Sequence, residues 1–222
     1  MILLSLGWAW GSTYNLPTAV KQQSPMTIGV GGGVFLREVG VLPSNRVVGS
    51  ASFKNLQSVF SSTTYWGQYQ ERFDVVGLSY SVVDKETFGL APYLMGVSFH
   101  NGYSTDQRQT LRGGVSFFKE GEHLVWDASI SIYGLGRFVN LDKQDSFKPL
   151  SILDTALTSE LGMSYFIDQH QIRLGLLGPM PMLRYVWSTE QLALETSLAT
   201  LGTQHIVQLD VRYKIPVKKD VK

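Results

Sequence analysis

The sequence predicts an all-β fold, an antiparallel up-and-down transmembrane β-barrel of about twelve strands, with ten as the alternative. Three observations predict it. Short segments alternate between apolar and polar residues, as in Val207, Leu209, Val211, Tyr213 and Ile215 against Gln208, Asp210, Arg212 and Lys214. A strand turns successive side chains to opposite faces. Composition is the second: 17% charged residues, 12% aromatics and 22 glycines, with a mean hydropathy of +0.01. A helical membrane protein would be far more apolar, and no uninterrupted apolar run of about 18 residues occurs. Third, short polar turns at 84–86, 119–123, 168–170 and 188–190 alternate with longer connections at 100–107 and 137–152. Outer-membrane barrels have short periplasmic turns and longer external loops.

A soluble β-barrel or β-sandwich alternates too and is the runner-up, but it would hold its apolar face inside. The large residues here crowd one face almost without interruption. The other face holds Gly, Ser, Thr and charges of both signs. Trp and Tyr gather near strand ends, as in an aromatic girdle.

In order, residues 1–25 are a signal-peptide remnant or a first strand, followed by an irregular stretch with Pro17 and Pro25. ILLSLGWAW at 2–10 is compatible with either reading. Residues 26–215 form the barrel. Thr27 to Arg37 puts Ile28, Val30, Val34 and Leu36 outward, with Gly29, Gly31 and Gly33 on the other face. Pro43-Ser44-Asn45 reads as a turn, and Arg46 to Lys54 follows it. Gln57 to Trp66 is a weaker candidate. Phe73 to Val83 turns Val76, Leu78, Tyr80 and Val82 outward. Thr87 to Phe99 is expected to turn Ala91, Tyr93, Met95, Val97 and Phe99 outward. Strands at 108–118, 124–136, 153–167, 171–177, 182–188, 191–199 and 204–215 complete the set. An even count requires either residues 2–14 or residues 57–66 as a strand. Residues 216–222 are a polar tail.

The absence of Cys excludes disulfides, thiol catalysis and Cys-based zinc sites. A net charge of +1 gives no electrostatic case for nucleic acid. His123, His170 and His205 fall in turns or at strand starts without metal-ligand spacing, so no metal or cofactor is expected. Gly29-x-Gly31-Gly32-Gly33 lies inside a strand and lacks the Lys-Ser/Thr and helix of a phosphate loop. Glycine there fits sharp curvature or close packing of a plug against the wall.

Residues 179–198, PMPMLRYVWSTEQLALETSL, resemble a recurring segment of a family of bacterial outer-membrane β-barrel proteins of unknown function. Pro179, Pro181, Tyr185 and Trp187 carry the likeness. The resemblance implies a barrel and brings no activity. The last strand also resembles the C-terminal signature read by barrel-assembly machinery, except that PVKKDVK follows where that signature ends on an aromatic residue.

The polar faces define a lumen lined by Arg112, Asp127, Glu160, Arg173, Arg184, Glu195, Asp210 and Arg212, with Gln208 and Lys214 beside them. A selective pore shows a ring of one sign. Mixed signs can equally pair across the wall, so a structural charge network and a conduction path both remain open. The first functional reading is a small outer-membrane channel or transporter for small polar solutes. The alternative is a closed structural or ligand-binding barrel acting through external loops, above all 137–152. A third is a lipid-modifying enzyme: Ser98 and His100, two apart on a strand, share a face, and a His can take a Ser proton. No catalytic residue is assigned and no enzyme is expected. The expected location is the cell outer membrane, with lipid, barrel-assembly machinery and a small polar solute as partners.

Overall fold

A computed structural model describes residues 26–37, 40–67, 70–85, 87–101, 107–139, 156–177, 180–201 and 203–215. Their strands are β1 (Met26–Arg37), β2 (Gly40–Phe53), β3 (Leu56–Tyr65), β4 (Glu71–Tyr80), β5 (Val83–Lys85), β6 (Phe88–Asn101), β7 (Gln107–Glu120), β8 (Leu124–Val139), β9 (Ala156–Ile167), β10 (His170–Leu177), β11 (Met180–Ser188), β12 (Leu192–Leu201) and β13 (Gln204–Lys214). Neighbours in sequence pair antiparallel, except β4 and β5, which both pair with β6. β13 pairs with β1, and β4 pairs with β6, so the sheet closes on itself. β5 prolongs β4: the pairing with β6 runs Ser79↔Tyr93 before Ser81-Val82 and Val83↔Leu90 after, a one-residue shift that marks a β-bulge. The barrel therefore has twelve staves. Residues 57–66 supply the even count, and the first 25 residues lie outside the described ones.

The apolar faces point out. Val30 and Val76 are each 62% exposed and Ile130 61%, as a lipid-facing wall requires and a soluble barrel would not tolerate. One strand departs from expectation. On β6, Ala91, Tyr93, Met95 and Val97 are buried and point inward, while Leu94 is exposed. The side chain of Phe99 lies outside the described residues. Both faces of this strand carry apolar residues, so alternation fixed its period but not its direction. Its inner face joins Val75 from β4 in an apolar cluster of Val75, Tyr93, Met95 and Val97.

Two other expectations are corrected. Pro43-Ser44-Asn45 is inside β2, which begins at Gly40. The carbonyl of Pro43 accepts from Trp66 N at 2.8 Å, one residue past the end of β3. Its nitrogen faces the same way, at the last rung of that ladder, so the missing N–H forgoes at most one bond at the strand end. The long connection is shorter than 137–152 at its start, because β8 runs to Val139; residues 140–155 lie outside the described ones.

Asp168 and Gln169 turn the chain between Ile167 and His170. Asp168 takes φ 51°, a left-handed conformation that Asp tolerates and a β-branched residue does not. Asp168→Gly should leave stability unchanged, whereas Asp168→Val should lower it by about 1–2 kcal/mol. Urea unfolding of the two variants in detergent would separate them.

Candidate functional site

Among the described residues the inner wall carries two ion-paired groups, and both are built the same way. The larger spans the seam between the first and last staves. Asp210 on β13 lies in register with Gly31 on β1, and Gly31 with Arg46 on β2. Asp210 and Arg46 are thus separated by a whole strand, roughly twice the spacing of about 4.8 Å between neighbours. Their side chains still meet, Arg46 Nη1 donating to Asp210 Oδ2 at 3.2 Å and to Gln208 Oε1 at 3.1 Å. They do so over Gly31. A Cβ there would lie 1.9 Å from Asp210 Oδ1 and 2.5 Å from the carbonyl of Leu209. Gly29 and Gly33 make the same room for Arg212 and Gln208. What packs on the glycine run is the polar face of β13.

The network continues to β12 and β11. Glu195, in register with Asp210, accepts from Arg184 Nη2 at 2.7 Å and pairs with Arg212 Nη2 at 2.9 Å. Arg46, Asp210 and Glu195 are only 2% exposed at their side chains. Arg184 and Arg212, at 25% and 17%, are the guanidiniums of this group most open to water. The Nε of each makes no hydrogen bond among the described residues.

The smaller group repeats the device on the neighbouring wall. Asp127 on β8 and Arg173 on β10 flank β9. Arg173 Nη2 donates to Asp127 Oδ1, and Nε donates to Oδ2 at 3.2 Å. Between them lies Gly162, where a Cβ would stand 2.5 Å from Arg173 Nη2 and 2.7 Å from both Asp127 oxygens. Arg112 is apart from both groups. It is fully buried beside β6, with its guanidinium carbon 5.8 Å from the centre of the Tyr93 ring, a cation–π arrangement.

Of the residues expected in the lumen, Arg112, Asp127, Arg173, Arg184, Glu195, Asp210 and Arg212 therefore sit on inward faces. Glu160 is in β9, in register with Ser129, and its side chain lies outside the described residues. Lys214 belongs elsewhere: its Nζ donates to the Thr189 carbonyl at 2.7 Å and ties the end of β13 to the β11–β12 turn. Arg46 was not anticipated, because the Pro-Ser-Asn reading placed it beside a turn. Its phase with Ser44 and Val48, both buried, was the available signal.

Ser98 and His100 share a face as the spacing requires, and it is the outer face of β6. Ser98 Oγ is 3.0 Å from His100 Nε2. The same nitrogen is 3.4 Å from Asp74 Oδ2 on β4, whose Oδ1 accepts from Arg72 Nε at 2.9 Å. Asp74 could not be foreseen: it is distant in sequence and reaches Ser98 only through the β4–β6 register.

No protein-family model matches the chain, and no curated protein matches it. Solved structures do. The KdgM porin in complex with disordered oligogalacturonate superposes with a TM-score of 0.58 at 12% identity, over 85% of this chain and 99% of that one. The NanC porin gives 0.60 at 10% identity, over 85% and 100%. Outer membrane phospholipase A from Escherichia coli gives 0.50 at 9% identity, over 85% and 92%. At these identities the likeness shows the fold alone: this chain has the twelve-stave architecture of bacterial outer-membrane β-barrels. That fold serves both a porin and a phospholipase, so the function must be argued from the site.

Proposed function

We propose that the protein is an outer-membrane channel for small polar solutes, with a preference for anions. The observation that carries this reading is the sign of the inner wall. Among the residues whose side chains are described it holds five guanidiniums, from Arg46, Arg112, Arg173, Arg184 and Arg212, against four carboxylates, from Glu71, Asp127, Glu195 and Asp210. A surplus of fixed positive charge in a low-dielectric wall raises the local concentration of anions. The likeness to the KdgM and NanC porins supports the channel reading.

Arg184 and Arg212 are the contacts for the solute. Both are partly open to water, and guanidinium matches carboxylate or phosphate oxygens in geometry and charge. Arg46, Arg173 and Arg112 lie deeper and set the background field. In a planar bilayer under a salt gradient, the purified protein should conduct, with a reversal potential on the anion-selective side. Arg184→Gln together with Arg212→Gln, which keeps an amide donor for Glu195, should move that potential toward zero, with heat-modifiable migration verifying that the barrel is folded. A bilayer silent at all voltages would overturn the channel reading. Conductance without anion preference would overturn the selectivity.

A further inference from the structure

Arg72, Asp74, Ser98 and His100 lie together on the outer wall and are not used by a channel. Phe73, Val75 and Val97 point inward, at 4%, 1% and 2% exposure, so Asp74 and Ser98 between them point out. Register places Asp74 opposite Ser98 and Arg72 opposite His100. The next two rows of the same seam are Val76 opposite Gly96 and Leu78 opposite Leu94. Val76, Leu78 and Leu94 are exposed. At Gly96 an added Cβ would have its nearest neighbour, the Val76 carbonyl, 4.0 Å away. The outer surface thus carries a hydroxyl and an imidazole at one end of an apolar track, with a hollow directly beside the hydroxyl.

From this arrangement we propose that Ser98 and His100 form an acyl-ester hydrolase site on the outside of the barrel, acting on a lipid whose acyl chain lies over Gly96 toward Leu94 and Leu78. His100 Nε2 takes the proton of Ser98 Oγ, and Oγ bonds to the acyl carbonyl carbon. The ester C–O bond breaks and the imidazolium returns the proton to the departing alcohol oxygen. Water, the second reactant, then cleaves the acyl-serine by the same proton route and releases the fatty acid. Asp74 is a positioning residue. Its carboxylate faces the nitrogen that becomes charged, so it stabilises the imidazolium directly, and Arg72 holds it there. This differs from a triad in which the acid orients the other ring nitrogen.

The test uses the folded protein in detergent and a long-chain alkyl fluorophosphonate, which phosphonylates an activated serine with loss of fluoride. Wild type should be labelled, with the added mass on the peptide containing Ser98. Ser98→Ala should not be labelled. His100→Asn should be labelled about 100-fold more slowly or worse, the contribution expected of a general base. Against phospholipid in mixed micelles, Asp74→Asn should lower kcat with KM unchanged, and Asp74→Glu should recover part of it. Gly96→Leu should raise KM for long acyl chains and leave labelling by a short-chain probe intact. Heat-modifiable migration verifies that each variant is a folded barrel. Labelling of folded wild type no greater than of heat-denatured protein would overturn the proposal, as would equal labelling of Ser98→Ala. Ser98→Ala should leave the conductance unchanged, so this site and the channel fail or stand separately.

Discussion

Gly31→Val should abolish most of the folded barrel. The first atom of the new side chain would fall 1.9 Å from Asp210 Oδ1 and 2.5 Å from the Leu209 carbonyl. A carboxylate alone could swing aside, but the carbonyl belongs to the ladder that closes the barrel. Either β1 and β13 separate or Asp210 leaves Arg46. Overpacking in a tight interior typically costs 1–3 kcal/mol and occasionally more, and here the lost ion pair adds to it. We expect a loss of about 3 kcal/mol or more, read as a collapse of the fast-migrating band on an unheated gel. Gly96→Ala, where the added carbon has no neighbour nearer than 4.0 Å, should change stability by less than about 0.5 kcal/mol. Comparable loss in both variants would mean that strand glycines matter for backbone freedom and not for the room they leave.

Asp210→Ala should destabilise by about 3–5 kcal/mol, the usual result of leaving a buried charge without its partner. The residue left behind is Arg46, whose side chain is 2% exposed. Urea unfolding from lipid vesicles, followed by tryptophan fluorescence, gives the number. The double variant Arg46→Met with Asp210→Leu should recover most of the loss, because removing both ions removes the desolvation cost along with the attraction. If the double variant is as unstable as the two single losses added together, the two residues are not coupled, and the network must be held by its other members.

Much of this fold is legible in the sequence because a membrane barrel writes its two environments into alternate residues. The outward Ile172, Leu174 and Leu176 and the inward Arg173 can be read without coordinates. The strand β6 could not be oriented, since Ala91, Tyr93, Met95 and Val97 suit an apolar patch of inner wall as well as they suit lipid. The lumen residues were legible as a set, but their pairing was not. Which arginine meets which carboxylate depends on register across strands that are distant in sequence, and on the glycine between them. Arg46 was lost to a Pro-Ser-Asn triplet whose proline sits inside β2, at the last rung of its pairing with β3. The alignment of Asp74 with Ser98 has no local signature at all.

The glycine run and the charges beside it also bear on how the barrel closes. Arg46 and Asp210 are 164 residues apart in the chain and meet only when the first stave docks on the last. A slip of one residue at that joint would turn Gln208, Asp210 and Arg212 into lipid, and the hydrophobic pattern forbids it. A slip of two residues keeps every face correct and presents a glycine to Asp210 again, at Gly29 or Gly33. Patterning cannot tell that error from the right answer; the alignment of Asp210 with Arg46 can. The ion pairs then act as a vernier at the joint, proofreading the step to which alternation is blind.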